Sequence, residues 1–526
     1  MDSFSTPVTQ EAFSEAEEKI RNFSGMKTMS KEMVNETVSV FEEIFLRLTD
    51  SGIAESDMTI SLHRGLHSVT MNLDFEGERF QIDYDGNENF DPGLALLQEY
   101  REKISLTYRR GVNSVSIVVK RNSNFITLAS LAGLVLAVPV YALFFHSKST
   151  EYCLEVNDRI VFPLLMLFAN AMMMISAPVT FFSFVSNMTG CVTLRDRKVN
   201  LAGLVRKLIL SSLGAMVIAY LVHILFYPIF SGHSATSVIG SSVLQDTFRD
   251  TLLNMVPSDI FNAFTVMSPF PLIFLAILNV IAICSMDRYF DTIYSIVKAI
   301  TDLFCKILSV IILFLPIAAF LSILSILLKD GYEFFSRLGY FVSTVLFGSL
   351  LIFGLYIIFL LLGKVSPREF FKKISPSMGE ILNINSTIDS VPYLTRFLSR
   401  NLKLKRNRLK QELPLLAQLN LDGNCFVLML ASLSCLSLCG HSLSLFQILI
   451  LTVIILVLSA GAPNQPGSVI TGLLIVFYYV DMPIDNFSTT VYMEVLFSAV
   501  ILILNTVGDM VIVATEQKRE DQKKPH

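Results

Sequence analysis

Two hydrophobic periodicities divide this chain. Between residues 29 and 49 the apolar side chains Met33, Val34, Val38, Phe41, Ile44, Phe45 and Leu48 fall on one stripe with acids opposite, the pattern of an amphipathic helix. Three alternating runs follow, "MTISLH" (58–63), "SVTMNLDF" (68–75) and "RFQIDY" (79–84), each a half-buried strand by its period of two. The spacing then predicts a helix around "GLALLQEYREKI" (93–104) and a last strand over "NSVSIVVK" (113–120). Helices on an antiparallel sheet make residues 1–121 a small α+β domain.

From Asn124 onward the alternation gives way to long apolar runs. Crossing ~30 Å of hydrocarbon takes about 20 helical residues. Runs of that length lie near 124–146, 160–188, 203–230, 260–285, 303–328 and 338–363. The C-terminal third is different. Residues 442–480 carry no charged side chain over 39 residues, yet their middle reads "SAGAPNQPGS", whose two prolines and two glycines cannot continue a helix. A re-entrant hairpin follows, because irregular backbone at membrane depth survives only where it is buried in protein or lines a cavity. A second segment, "PSMGEILNINSTIDSVPYLTRFL" (376–398), is split into two half-helices by its polar centre "NINSTIDS". Its partner, 412–436, is broken by "LNLDGN" (419–424). Paired interrupted helices point to the substrate and ion site of a secondary transporter.

Composition agrees with this picture. The chain is 52% hydrophobic and only 16% charged, with a mean hydropathy of +0.58, whereas soluble domains are about 25% charged. This is a polytopic α-helical membrane protein. Residues 1–121 hold 21 of the 45 acidic residues in under a quarter of the length, which marks that segment as soluble. Trp is absent, so any interfacial belt is built from Tyr and Phe. Lys and Arg cluster in "RDRK" (195–198), "GKVSPREFFKK" (363–373), "RNLKLKRNRLK" (400–410) and the tail "EQKREDQKKPH", which places both termini in the cytoplasm. The first apolar span begins near Asn124, so no cleavable leader is expected and the first domain stays where it was made, at the cell (inner) membrane. The seven cysteines lie mostly in apolar stretches without metal or redox spacing and read as core residues. With no nucleophile–base pair, metal-ligand cluster or intact P-loop, the chain is not expected to be an enzyme, nor to bind nucleic acid.

Candidate chemistry concentrates in "ILILNTVGDMVIVATE" (501–516), where Asn505 and Asp509 interrupt a membrane-grade run. An Asp at the bilayer centre costs roughly 2.5–3.5 kcal/mol even on the lenient insertion scale. Four residues apart on a helix, the two side chains point the same way and need a partner. Asn420 and Asp422, in the break of the other apolar segment, supply one and define a buried cation site. Two further residues have competing readings. His223 could relay a proton, although a lone membrane histidine more commonly bonds a neighbouring helix. Glu494 opens the last helix, where the dipole alone favours a carboxylate.

These landmarks in order, "FPLLMLFANAMMMISAPVTFFSFVSNMTG", "MVPSDIFNAFT", "ILFLPIAAF", the serine-type hairpin, "NLDGN", "AGAPNQPGS" and "NTVGD", resemble the dicarboxylate/amino acid:cation symporters, the glutamate-transporter family, over roughly 390 residues. The resemblance implies eight transmembrane helices plus two re-entrant hairpins, a homotrimer, and an elevator-like movement of a transport domain. Helices 1–6 would occupy 122–370, the substrate and ion core 371–516, and a cytoplasmic tail 517–526. The family's "NMDGT" signature stands here as Asn420, Leu421, Asp422, Gly423 and Asn424, and its "NxxGD" as Asn505, Gly508 and Asp509. Ser211 and Ser212 fall where the family's third helix offers hydroxyls to a sodium ion. The implied cation set is therefore Asn420, Asp422, Asn505, Asp509, Ser211 and Ser212, with sodium as the coupling ion.

The substrate side departs from that pattern. Where the family reads an amino group with an Asp and a side-chain carboxylate with an Arg, this chain has Ser498 and Ile501, followed by Leu502. At the first hairpin Ser386, Thr387 and Asp389 replace a serine-rich tip. The implied pocket adds Asn424, Gly461, Pro463 and Gly467. Without a guanidinium for bidentate pairing, an acidic amino acid is not the expected solute; a neutral or cationic small organic solute is. The competing reading is a receptor or regulator that keeps the transporter scaffold and signals through its first domain. That domain, with "FEEIFLRL" (41–48) and "DYDGNENFDP" (83–92), resembles the GHKL ATP-binding domain of histidine-kinase and anti-sigma proteins. Arg47 replaces the magnesium-holding Asn and no glycine-rich lid follows, so the expectation is a degenerate regulatory or assembly module with a cytoplasmic partner, not a nucleotide site.

Overall fold

The chain divides into two units, Met1–Phe125 and Ile126–His526. The computed structural model describes residues 2–9, 12–24, 26, 31–52, 57–64, 68–82, 97, 100, 104–109, 111–121, 124–193, 201–230, 255–257, 259–265, 269–286, 288–419, 421–438, 444–463, 466–479 and 487–523.

In the first unit, β1 (Asp2–Thr6), α1 (Phe13–Asn22), α2 (Lys31–Ser51), β2 (Met58–Arg64), β3 (Ser68–Glu76), β4 (Ile104–Arg109) and β5 (Val112–Arg121) follow in chain order. The strands form one antiparallel sheet in the order β1-β2-β3-β5-β4. Its register explains the sequence alternation: Leu62 faces Met71, Met71 faces Ile117 and Leu73 faces Val115, all of them buried. They join Phe41, Ile44, Phe45 and Leu48 of α2 in one core, so the helix expected over 29–49 is present with its apolar stripe inward.

Three expectations need correction. The run "RFQIDY" forms no strand over its described residues 79–82. The Phe80 N–H donates to Asn113 Oδ1 (2.8 Å) and Asn113 Nδ2 donates to the Glu78 carbonyl (2.8 Å), so a side chain holds this segment in place of a ladder. Phe80 and Ile82 still bury, which is why the period of two was there. Second, β4 begins at Ile104, where the expected helix was to end. Third, β1 and α1 were not foreseen: β1 is five residues of mostly small polar side chains. The loop "DYDGNENFDP" and most of the expected helix at 93–104 lie outside the described residues. Arg47, where the nucleotide-domain resemblance wants an Asn, is paired with Glu43 of its own helix at 2.7 Å.

Among the described residues, every regular element of the second unit is a helix. α3 (Asn124–Phe144) is followed by α4 (Thr150–Val156), which continues through a π turn at Asn157–Val161 into α5 (Phe162–Thr193). Next come α6 (Leu201–Phe230), α7 (Pro269–Cys284), α8 (Phe290–Ile312), α9 (Leu315–Asp330) and α10 (Phe334–Leu362). The span expected at 303–328 is broken. Leu313 and Phe314 separate α8 from α9, and Pro316 sits in the first turn of α9, where its missing N–H is harmless and its ring cannot continue the preceding helix. The "RDRK" cluster lies outside the described residues.

The C-terminal third is interrupted where Gly, Pro and polar residues said it would be. α11 (Pro367–Ile374) leads to α12 (Met378–Ile384), which stops at Asn385 in the left-handed conformation (φ 56°). Ser386 then caps α13 (Thr387–Asn401) by accepting the Asp389 N–H at 3.2 Å. α14 (Arg406–Leu419) breaks before α15 (Asp422–Leu438). α16 (Leu445–Ala460) breaks before α17 (Ser468–Tyr479), and α18 (Phe487–Lys523) runs on without interruption.

Among the described residues six helical stretches are long and apolar enough to cross a membrane: 125–144, 150–191, 202–226, 315–362, 406–437 and 487–519. Their burial differs in a way that locates the core. In the most apolar 18 residues of each stretch, only 28% are buried inside the protein in 125–144, against all of them in 406–437 and 72% in 487–519. α14, α15 and α18 are therefore wrapped by the rest, while α3 and α10 present apolar residues such as Leu136, Leu143, Leu350 and Leu361 outward, as a lipid-facing surface requires.

Candidate functional site

The core helices meet around Asp422. α15 packs against α6 and α18, and α10 packs against the same two. Asp422 is the first residue of α15, where a carboxylate is favoured by the helix dipole, and it is fully buried. Ser211 Oγ donates to its Oδ2 (2.5 Å) and Ser212 Oγ to its Oδ1 (2.8 Å). Tyr356 OH, from α10, lies 3.1 Å from Oδ2 and 2.9 Å from the Leu504 carbonyl, so one proton is shared between two acceptors. These three donors are neutral hydroxyls. An ionised carboxylate has about four acceptor positions, and neutral donors satisfy them without cancelling the charge.

The second half of the site is the crossing of α15 on α18. The Gly423 N–H donates to Asn505 Oδ1 at 2.7 Å. A Cβ on Gly423 would stand 2.6 Å from the Ile501 carbonyl oxygen, so only glycine permits this approach. Asp509 lies one turn beyond Asn505 on α18 and is 2% exposed. Asn424, 3% exposed, has its Oδ1 buried without a hydrogen-bond partner. Asp422, Asn505, Ser211 and Ser212 thus bring carboxylate, amide and hydroxyl oxygens into the junction of α6, α15 and α18, with Asn424 and Asp509 buried within about a turn of them along α15 and α18. Such a set suits a hard cation. Among the described residues no group of three or more His, Cys, Asp or Glu could hold a transition metal. Asn420 lies outside the described residues.

Tyr356 was not foreseen, although it carries the only side-chain hydroxyl between Ser349 and Ser366. An isolated Tyr in an apolar run reads equally well as an interfacial anchor. Tyr356→Phe should destabilise the purified protein by about 1.5–3 kcal/mol, the usual range for a hydrogen bond to a charged acceptor. Thermal unfolding in detergent measures it, and an unchanged melting temperature would remove Tyr356 from the site.

The residues expected at the solute lie on α13, on α15, at the α16–α17 break and on α18. Thr387 is buried, with its Oγ1 3.4 Å from the Ala417 carbonyl, while Asp389 is half-buried in the first turn of α13. Gly461 abuts Thr180 of α5, Gly467 (φ 98°) abuts Ile312 of α8, and Pro463 is buried. Ser498 Oγ turns back to the Val495 carbonyl of its own helix (3.4 Å), and Ile501 and Leu502 are buried.

His223 follows the commoner of its two readings. Its Nδ1 is 3.0 Å from Tyr340 OH and its Nε2 3.0 Å from Ser437 Oγ, with Tyr340 OH also 3.1 Å from Ser434 Oγ. The ring therefore ties α6 to α10 and α15. Glu494 needs a correction. α18 begins at Phe487, so Glu494 does not open it. Its carboxylate instead accepts the backbone N–H groups of Gly467 (2.7 Å), Val469 (2.9 Å) and Ile470 (3.4 Å), at the start of α17. At the far end of α18, buried Glu516 pairs with Lys207 of α6 (2.7 Å) and buried Glu412 with Arg408.

Comparison with known proteins agrees with this layout. The profile of the Sodium:dicarboxylate symporter family matches residues 123–518. A C4-dicarboxylate transport protein of Geobacter sp. (strain M21) is 25% identical over 296 residues, 55% of this chain and 65% of its own length. One from Citrifermentans bemidjiense is 25% identical over 282 residues, 52% and 63% of the two chains. Excitatory amino acid transporter 3 of Mus musculus is 24% identical over 217 residues, 40% and 41% of the two chains. The chain thus covers slightly less than two thirds of the length of these two C4-dicarboxylate transport proteins.

Proposed function

Because the chain belongs to the Sodium:dicarboxylate symporter family, we propose that it is a cation-coupled secondary transporter, driven by sodium, whose solute differs from an acidic amino acid. The observation that carries this reading is the buried carboxylate of Asp422. It is shared by hydroxyls from α6 and α10, and it lies beside the Gly423–Asn505 contact between α15 and α18. Buried carboxylates surrounded by neutral oxygen donors are costly, and a bound cation offsets that cost. Asp422, Asp509, Asn505, Ser211 and Ser212, with Asn420, are the residues we assign to it.

In this reading the two interrupted pairs α12–α13 and α16–α17 act as re-entrant hairpins and complete a fold of eight transmembrane helices. Three copies assemble, and α12–α18 move as an elevator together with α6 and α10, whose hydroxyls bond to Asp422, against the remaining helices. The apolar Ile501 and Leu502, in place of a guanidinium and its neighbour, disfavour a dicarboxylate. The first unit serves as a cytoplasmic regulatory module.

The test is thermal unfolding in detergent against sodium at constant ionic strength, beside potassium and choline. A ligand that binds only the folded state adds RT ln(1 + [L]/Kd), about 2.7 kcal/mol at 100-fold excess. The expected result is a sodium-specific rise in melting temperature that Asp509→Asn lacks. Equal curves in sodium and choline would overturn sodium coupling and favour a non-transporting receptor or regulator on the same scaffold.

A further inference from the structure

Asp422 is not the only place where α6, α10 and α15 exchange hydrogen bonds. Farther along the same three helices, His223 of α6 lies 3.0 Å through Nδ1 from Tyr340 OH of α10 and 3.0 Å through Nε2 from Ser437 Oγ of α15. Tyr340 OH is also 3.1 Å from Ser434 Oγ. The spacing of the two contacts matches. Twelve residues separate Ser211 from His223 on α6, and twelve separate Asp422 from Ser434 on α15, about 18 Å along either helix. Residues four apart form ridges on a helix surface. Ser211, Ala215, Ala219 and His223 are one such row, and Asp422, Phe426, Leu430 and Ser434 are another. Each row is polar at its two ends, and the middle of the α6 row is two fully buried alanines.

The break before α15 makes the second contact necessary. α14 stops at Leu419 and α15 starts at Asp422, so the position of α15 along its own axis is not inherited from the helix before it. Alanines between the polar ends let two helices approach closely, but they offer no knob that would select one register. A slip of one turn is about 5.4 Å, enough to part both sets of hydrogen bonds. Asp422 cannot set that register alone, because its own oxygens are the ones a cation must reach. We infer that His223 is a positioning residue for the cation site: its bonds to Tyr340 and Ser437 fix the register of α6 against α15 and thereby keep Ser211 and Ser212 on Asp422. The inference rests on the cation reading for its functional meaning.

The experiment is a sodium titration of the melting temperature of the purified full-length protein at constant ionic strength, for the wild type, His223→Leu and His223→Gln, with a parallel set in choline. His223→Leu should raise the apparent sodium Kd roughly tenfold, within the usual range of coupling between two sites, although no atom of the cation site has changed. His223→Gln, whose amide keeps a donor and an acceptor, should recover most of that loss. A side chain that only stabilises the bundle would lower the melting temperature in sodium and choline alike and leave the Kd where it was. That result overturns the inference, as does a glutamine variant no better than leucine. The choline set asks the same question without the ion. Ser212→Ala should lower the melting temperature of the wild type clearly more than that of His223→Leu, in which the hydroxyl has already left Asp422. Changes this far apart add when nothing couples them, so additive losses overturn the positioning role. If His223→Leu does not fold, Tyr340→Phe takes its place in both sets, with the same outcomes deciding. A wild type without a sodium response but with non-additive losses in choline would sink sodium coupling and leave the positioning role of His223 standing.

Discussion

Asp422→Ala should cost the protein about 2–5 kcal/mol and abolish its response to sodium. The estimate starts from the donors left behind. Ser211, Ser212 and Tyr356 all lose their common acceptor in a dry core, and a buried unsatisfied group costs about 1–3 kcal/mol. The sum is reduced because Tyr356 keeps the Leu504 carbonyl at 2.9 Å, and because a helical serine can turn to the carbonyl four residues back. Removing a buried charge recovers some energy too. Asp422→Asn separates the two contributions. It retains an acceptor and the volume, so it should lose less stability than alanine, yet its neutral amide should still abolish the sodium shift. The gap between wild type and Asp422→Ala should widen in sodium, by about 2.7 kcal/mol at 100-fold excess over Kd. If Asp422→Asn kept the wild-type sodium shift, Asp422 would not be a cation ligand.

What the sequence could disclose depended on whether an element advertises its partner. The breaks near 385, 420 and 461–467 were legible because Gly, Pro and clustered polar residues cannot continue an apolar helix, whatever surrounds them. That Asp422 would be buried beside a structured partner was legible for a similar reason: a carboxylate at that depth is too costly to leave alone. Glu494 was visible as a charge, but its partners were not. They are backbone N–H groups, which every residue but proline has, so no side chain marks them. Tyr356 was hidden because its ring fits the apolar run and only its hydroxyl reaches Asp422. The false strand at "RFQIDY" shows the same limit from the other side. Alternating burial of Phe80 and Ile82 reports which residues face the core, whereas the ladder depends on Asn113, which competes for the backbone from 33 residues away in sequence. The break at 313–314 was passed over because Leu and Phe there raise no signal, and Pro316 is tolerated in a first turn.

Gly423→Ala tests the α15–α18 crossing without touching a charge. The new Cβ would lie 2.6 Å from the Ile501 carbonyl oxygen, 2.9 Å from the Ile501 Cα and 3.0 Å from Asn505 Oδ1. Two of those atoms are backbone inside an uninterrupted helix, so no rotamer change relieves the contact. α15 must move off α18, and the 2.7 Å bond from the Gly423 N–H to Asn505 goes with it. Overpacking of this kind costs roughly 1–3 kcal/mol, and the stranded Asn505 acceptor adds about 1–3 kcal/mol. The gain in helix propensity, at most about 1 kcal/mol for glycine to alanine, opposes this and is smaller at a first-turn position. The net expectation is a loss of about 2–4 kcal/mol. Gly354→Ala is the control: on α10, its Cβ would meet nothing within 4 Å, so only the propensity gain remains and the variant should melt at or above the wild type. The geometry also orders the ion response. Asp422 and Asn505 remain in Gly423→Ala, but they move apart, so the sodium shift should weaken as stability falls, while Gly354→Ala keeps it whole. Melting curves of the two variants with and without sodium decide the matter. If Gly423→Ala proved as stable as Gly354→Ala, with an intact sodium shift, the close crossing of α15 on α18 would not be what assembles the site.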